Sequence, residues 1–269
     1  MGRTLNSSSW IGLIPAGGWA RRLRGLPCSK EIYPLGPSGT PETRRKPVIV
    51  YLLERMGRAG IAKAFVIIRP GKWDIPETLG SHRAGVDLAY ALVSKPYGPP
   101  FTLDAAYRFV RDHWVAFGFP DILISLVDPY SRLAELLLDT RADVVLGLLP
   151  AVDPKAVGIA QVDNSGRVLQ VWEKPAHKVQ GWMWCLAVWG PRFTEYLHRF
   201  VQAWEAPTLS TDPPPKEVPM GEVLQKALHD GLDMRGGFFP NGRYLDIGTP
   251  ETLAQAPEFL AFVESSSEL

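Results

Sequence analysis

Ile11-Gly-Leu-Ile-Pro-Ala-Gly-Gly-Trp-Ala-Arg-Arg-Leu-Arg-Gly-Leu-Pro-Cys-Ser-Lys30 reads as a buried strand, a glycine turn, two arginines and a lysine behind a proline. Gly17 and Gly18 let backbone N–H groups approach anionic oxygens with no Cβ in the way. Arg22 offers a fork of donors that matches phosphate geometry, and Lys30 offers a compact point charge. A glycine pair after a strand is, by itself, a plain turn. Arg22 and Lys30 on the same short loop turn it into a cradle for a polyphosphate. Arg21 and Arg24 read as solvated neighbours. The spacing matches neither a Walker loop, Gly-x4-Gly-Lys-Ser/Thr, nor a dinucleotide fingerprint, Gly-x-Gly-x-x-Gly.

Outward from this stretch, the first half of the chain alternates strand and helix signals. Pro47–Ala59 carries Ile49, Leu52, Leu53 and Met56 at helical spacing, with Gly60 as the stop. Phe65–Ile68 and Val86–Val93 read as strands. A helix is expected from Thr102, as N-cap, to about Asp112, then a strand over Val115–Phe119, a helix over Ser131–Leu138 and a strand over Val144–Leu149. Such alternation predicts an α/β fold: a doubly wound, mostly parallel, Rossmann-like sheet with helices on both faces. Its ligands belong at the carboxyl ends of the strands. The second half predicts a smaller antiparallel portion. Gly158–Val162, Asn164-Ser-Gly166 and Val168–Trp172 form a hairpin pattern, and Trp182–Val188 is a further strand. Thr211-Asp-Pro-Pro-Pro215 reads as a loop, Met220–Asp230 as a helix, and Thr249-Pro250 as the cap of a last helix.

The chain has 269 residues, 46% of them apolar, enough for one large core, and no boundary between independent domains is visible. A single unit over 1–269 is expected, with a ligand-cradling half at about 10–150, an antiparallel half at about 151–256 and a C-terminal tail at 257–269. Net charge is +1, which excludes a global field for nucleic acid or an anionic membrane. Residues 1–46 nevertheless hold eight basic side chains against Glu31 and Glu42, which suits a small anionic ligand. Cys28 and Cys185 make no metal pattern, and a reducing, cytoplasmic setting is expected. No stretch approaches a membrane span, and the opening Met-Gly-Arg-Thr-Leu-Asn-Ser carries no secretory signature.

Two aspartates stand past strand signals: Asp121 in Phe117-Gly-Phe-Pro-Asp121, and Asp246 in Gly242-Arg-Tyr-Leu-Asp246-Ile-Gly248-Thr-Pro250. Two such carboxylates could share one hard cation, and Mg²⁺ takes only one or two protein carboxylates, with water and phosphate oxygens completing its shell. Asp128, before Pro129, is a rival carboxylate that reads as a turn residue. Glu173-Lys174-Pro175 closes the hairpin, and on residue type alone it is a solvated pair. Trp182 and Trp184 alternate on one strand face and read as core.

In this order, the pieces resemble the sugar-1-phosphate nucleotidylyltransferases. That family opens on Ala-Gly-Gly-x-Gly-Thr-Arg-Leu followed by a lysine; here the run is Ala16-Gly17-Gly18-Trp19-Ala20-Arg21-Arg22-Leu23 with Ser29-Lys30. Lys46-Pro47, Ala59-Gly60-Ile61, Leu88-Ala-Tyr90 with Pro96 and Gly98, Val157-Gly158, Glu173-Lys174-Pro175 and Leu245-Asp246-Ile247-Gly248-Thr249 continue the series, collinear over roughly residues 10–256. The resemblance implies an Mg²⁺-dependent enzyme that joins an NTP and a sugar 1-phosphate into an NDP-sugar and pyrophosphate. It implies catalytic roles for Arg22 and Lys30, with Ala16, Gly17, Gly18 and Gly98 around the nucleotide. Gly158, Glu173 and Lys174 would meet the sugar phosphate, and Asp121 and Asp246 would hold Mg²⁺. A homodimer or homotetramer is also implied, with neither nucleic acid nor membrane as partner. The chain departs from the pattern at Trp19-Ala20-Arg21, in a shorter Arg22–Lys30 loop, and at Val93, where a base-reading glutamine is common. Gly118-Phe-Pro-Asp121 also replaces a simple Gly-Asp. These departures leave two alternatives: a cytidylyltransferase acting on a non-sugar phosphate, or a paralogue that binds without turnover.

Overall fold

The computed structural model describes residues 9–20, 22–23, 25–177, 179–208 and 217–267. Met1–Ser7, Arg21, Arg24 and the Thr211–Pro215 loop lie outside the described residues. The chain opens with β1 (Trp10–Pro15), the short strands β2 (Pro34–Leu35) and β3 (Lys46–Pro47), and α1 (Val48–Arg58). Then come β4 (Lys63–Ile68), α2 (Asp74–Leu79), β5 (His82–Arg83), β6 (Val86–Leu92), α3 (Pro99–Asp104) and α4 (Tyr107–Val110). β7 (Trp114–Gly118), β8 (Ile122–Ile124), α5 (Pro129–Thr140) and β9 (Val144–Pro150) complete the first half. The second half holds β10 (Gly158–Val162), β11 (Val168–Glu173), β12 (Trp182–Trp189), α6 (Pro191–Thr208), α7 (Met220–His229), β13 (Met234–Phe238), β14 (Tyr244–Asp246) and α8 (Pro250–Ser267).

β1 pairs in parallel with β4 on one side and β7 on the other, and β4 continues in parallel to β6. Beyond β7 the sheet turns antiparallel through β12 to β10 and β11, while β9 pairs with β12 and, in parallel, with β13. The sheet therefore has the expected parallel half and antiparallel portion. Strand alternation sends Trp10 and Ile14 of β1 into one apolar layer and Ile11 and Leu13 into the other. α1 and α5 cover the first layer through Ile49, Leu53, Met56 and Leu133; α3, α6 and α7 cover the second through Phe101, Phe193 and Val223. A smaller cluster under α8, with Leu260 and Ala256 on Ile247 and Leu123, holds β14 and β8 in place.

Local signals explain most boundaries. α1 stops where Gly60 adopts φ +76°, and the Ile61 N–H reaches back to the Met56 carbonyl at 3.0 Å. Asp128 caps α5, accepting from the Ser131 N–H at 3.2 Å. Thr249 accepts from the Thr252 N–H at 3.3 Å as α8 begins, and α8 runs to Ser267 through the segment expected as a tail. The Thr102 helix differs from expectation. It starts earlier, with Gly98 at the cap and Pro99 and Pro100 at first-turn positions where a missing N–H costs nothing, and it breaks at Ala105–Ala106 before α4. The Thr102 hydroxyl is buried and donates to the Gly98 carbonyl at 3.1 Å, so it is no cap.

Candidate functional site

A cleft of about 1010 Å³ runs from the carboxyl ends of β1 and β7 to the outer strands β10 and β11 and the start of α7. Gly18, Lys30, Gly98, Asp121, Gly158, Glu173, Lys174 and Asp246 all line it. Ala16 and Gly17 do not line it and are buried, and Arg22 is exposed.

Asp121 and Asp246 come together through a two-stranded pairing that their separation in sequence hides. β14 runs antiparallel to β8 with Asp246 opposite Ile122, and the Ile247 N–H donates to the Asp121 carbonyl at 3.1 Å. Lys30 Nζ meets Asp121 Oδ2 at 2.5 Å. The Gly248 N–H donates to Asp246 Oδ1 at 2.7 Å, and a Cβ on Gly248 would stand 2.7 Å from Arg22 Nη2. Arg22 therefore lies against Gly248, next to Asp246, and the missing side chain at 248 makes room for it.

The charges of this cluster split its two carboxylates. Burial opposes ionisation of Asp121, but the Lys30 ammonium outweighs it and holds the Asp121 carboxyl below the usual range. Burial first, and the Asp121 charge second, push Asp246 above it. Burial also works against the Lys30 ammonium, yet Asp121, Glu31 and Asp246 together keep its pKa above the ordinary lysine value. Among the described residues no three His, Cys, Asp or Glu side chains gather into a complete metal cage. Two adjacent hard-oxygen donors facing an open cleft fit an ion that draws the rest of its shell from water and ligand phosphates.

At the turn, Gly17 packs so closely that a Cβ would sit 3.0 Å from Val93 Cγ1, while Gly18 has open space around it. Ala20 adopts φ +49°, the left-handed conformation that explains why glycine is usual at this place. Trp19 is 41% exposed and carries the Arg69 guanidinium over its ring, 4.2 Å from the centroid. The bulky turn is thus tied to the loop after β4 by a cation–π contact.

The same loop holds residues that sequence reasoning missed. Lys72 Nζ lies 2.7 Å from both Glu31 carboxylate oxygens and donates to the Ala16 carbonyl at 2.9 Å. Lys72 is 4% exposed and Glu31 1%. Asp74 accepts from the Ser29 N–H at 2.6 Å and the Ser29 hydroxyl at 2.8 Å. In sequence, Glu31 beside Lys30 is an ordinary neighbouring charge, and Lys72 after Pro70-Gly71 is an ordinary turn lysine.

On the far side of the cleft, Gly158 and Glu173 face each other across the β10–β11 pairing. A Cβ on Gly158 would stand 2.5 Å from Trp184 Nε1, so the glycine admits the indole. Glu173 accepts from the Gly221 N–H in the first turn of α7, and burial pushes its carboxyl above the usual range. Lys174, exposed at φ +45°, is fixed by its backbone N–H to the Val157 carbonyl at 3.1 Å. Gly98 has a structural reason of its own: at φ +128°, a Cβ would lie 2.0 Å from the Val218 carbonyl oxygen. Asp128, the rival carboxylate, is exposed at the start of α5.

The model of the nucleotidyl transferase family matches residues 11–262. A glucose-1-phosphate thymidylyltransferase of Streptomyces antibioticus is 27% identical over 83% of this chain and 58% of its own length. A low-salt glycan biosynthesis nucleotidyltransferase of Haloferax volcanii is 25% identical over 93% of this chain and 65% of its own. The chain therefore spans about 58–65% of the length of these curated relatives. The solved inositol-1-phosphate CTP transferase of T. maritima shares the fold at TM-score 0.72 and 17% identity, covering 94% of this chain and 96% of that one.

Proposed function

Since the chain belongs to the nucleotidyl transferase family, we propose that it transfers a nucleoside monophosphate from an NTP to a sugar 1-phosphate, yielding an NDP-sugar and pyrophosphate. One observation carries the reading. Lys30, Asp121 and Asp246 come together in a single cleft whose lining also takes in Gly18 of the glycine turn and Gly158, Glu173 and Lys174 of the antiparallel portion. A triphosphate in the turn and a phosphate held near Lys174 would meet at that cluster. The region of about 10–150 then serves as the nucleotide half and about 151–256 as the sugar-phosphate half.

The reaction needs little covalent help. An oxygen of the sugar phosphate attacks the α-phosphorus in line, one P–O bond forms, and the α–β bridge breaks with its electron pair leaving on pyrophosphate. Positioning and charge neutralisation do the rest. The N–H groups at Gly17 and Gly18 and the Arg22 fork receive the triphosphate, with Gly98 beside the base. Lys30 neutralises charge between the α-phosphate and the incoming phosphate, exchanging its contact with Asp121 for phosphate oxygens. Lys174 pairs with the acceptor phosphate, and the second oxygen of Glu173 accepts from a sugar hydroxyl. Asp121 and Asp246 would hold Mg²⁺, which supplies charge neutralisation on the reacting phosphates when bound. No helix among the described residues is long and apolar enough to cross a membrane.

Purified protein with Mg²⁺, each common NTP and a panel of acceptors tests this reading by pyrophosphate release. The panel holds sugar 1-phosphates, phosphorylated polyols and phosphorylated amino alcohols. Release with an NTP and a sugar 1-phosphate is expected. Release only with a non-sugar phosphate would move the acceptor class, and no release with any pair would overturn the reading.

A further inference from the structure

Lys30 is held from both sides by one loop. The residue before it, Ser29, gives its N–H and its hydroxyl to the two Asp74 carboxylate oxygens at 2.6 and 2.8 Å. The residue after it, Glu31, accepts from the Lys72 ammonium with both carboxylate oxygens at 2.7 Å. Lys72 lies in the turn between β4 and α2, and Asp74, two residues on, opens α2. The third Lys72 contact, 2.9 Å to the Ala16 carbonyl, ties that turn to the glycine turn as well. The two Glu31 carboxylate oxygens and the Ala16 carbonyl thus use all three donors of the Lys72 ammonium. Burial pulls the Lys72 pKa down against the pull of Glu31, so this charged pair sits where its removal from water is costly.

From this arrangement we propose that Asp74 and the Lys72–Glu31 pair are positioning residues. They bracket the backbone of Lys30 and fix it relative to the glycine turn, so that its ammonium reaches Asp121 before any ligand arrives. The bracket deepens the nucleotidyl transfer reading and rests on it for its catalytic consequence. A short three-residue turn, Lys30–Ile32, has no side-chain cap of its own to hold it in place. Without external contacts, the long lysine side chain would start from a mobile backbone and lose the orientation that charge neutralisation requires. A displacement of about 1 Å in such a group costs up to about 100-fold in rate.

A double-mutant cycle in kcat separates this role from plain structural support. Asp74→Ala is expected to lower kcat about 10-fold or more, with a smaller change in KM for the NTP. In the Lys30→Ala background the same substitution is expected to have no further effect, because the bracket acts only through Lys30. An equal fold-loss in both backgrounds, or no loss in either, overturns the proposal. Lys72→Met alone leaves Glu31 buried and unpaired, which threatens folding. The paired change Lys72→Met with Glu31→Met replaces both charges by apolar groups, so stability is expected to return while kcat stays low. Recovery of kcat together with the melting temperature would reduce the pair to structural support and overturn its share of the proposal. A readout without turnover keeps the bracket testable should the enzyme reading fail. The Lys30–Asp121 coupling, from urea denaturation of the single and double variants, is expected to be lost in the Asp74→Ala background. An unchanged coupling there would overturn the bracket, whatever the protein catalyses.

Discussion

Replacing Lys30 by Met keeps the aliphatic stem and removes the charge that separates the two cleft carboxylates. Lys30 and Asp121 side chains retain 17% and 14% exposure, so their contact is mostly but not fully shielded from water. Breaking a buried pair from one side costs about 3–5 kcal/mol, and residual solvent access places this one near about 3 kcal/mol. The loss carries a pH signature. With Lys30 present, Asp121 is held below the ordinary carboxylate range, and that contribution is present above the unfolded pKa and lost as pH falls through the folded one. With Met at 30, burial and the neighbouring Asp246 charge both push Asp121 up, so the folded variant binds protons that the unfolded chain has released. Its stability then falls as pH rises through the carboxylate range. The deficit relative to the natural chain should therefore be smaller near about pH 4 than near about pH 8, where it reaches about 3 kcal/mol. Urea denaturation followed by tryptophan fluorescence, with nine tryptophans as reporters, measures it across that range. Millimolar Mg²⁺ should raise the midpoint of the variant more than that of the natural chain. A deficit that is equal at both pH values, or larger in acid, would refute the idea that Lys30 separates the two carboxylates.

Three other perturbations test the frame around the site. Gly98→Ala places a Cβ 2.0 Å from the Val218 carbonyl in a left-handed conformation, and a loss of about 3 kcal/mol or more is expected in thermal or urea denaturation; unchanged stability would show that the cleft wall yields. Ala20→Gly relieves the φ +49° strain but loosens the unfolded chain, so a net change between zero and about 0.5 kcal/mol in favour of the fold is expected, and a loss of 1 kcal/mol or more would contradict it. Arg55, buried on α1, donates to the carbonyls of Tyr51, Ile124 and Leu126, the last at 2.8 Å, and so braces the strand that follows Asp121. Arg55→Leu leaves those acceptors unpaired and should cost about 3 kcal/mol in denaturation, whereas a neutral outcome would show that water or neighbouring groups replace the guanidinium.

The sequence discloses the parts of this fold whose physics is local. β1 and its glycine turn, the α1 stop at Gly60, the hairpin around Asn164-Ser-Gly166 and the Thr249 cap are all written in neighbouring residues. α6 has no comparable opening signal, and a first-turn proline at 191 after Gly190 passes for a turn. The start of α3 is obscured by Pro99-Pro100, which reads as a loop until the first turn is seen to need no donors there. At the site, Arg22, Lys30 and Asp246 are legible because they sit beside glycine turns and strand ends. Lys72, Glu31 and Asp74 are not, since their significance lies in contacts between segments more than forty residues apart. Glycine itself was ambiguous: Gly98 and Gly158 line the cleft, yet each is also required by a close neighbour, Val218 or Trp184.

The proposed reaction requires one cleft to bring two phosphates together at Lys30, Asp121 and Asp246. Rapid-quench measurement of pyrophosphate, with the protein in excess over labelled NTP, tests it most directly. Single-turnover release is expected only when NTP, sugar 1-phosphate and Mg²⁺ are all present, at a rate at least about 100-fold lower for Asp246→Asn. Tight nucleotide binding without pyrophosphate, or release that Asp246→Asn leaves at the natural rate, would contradict it.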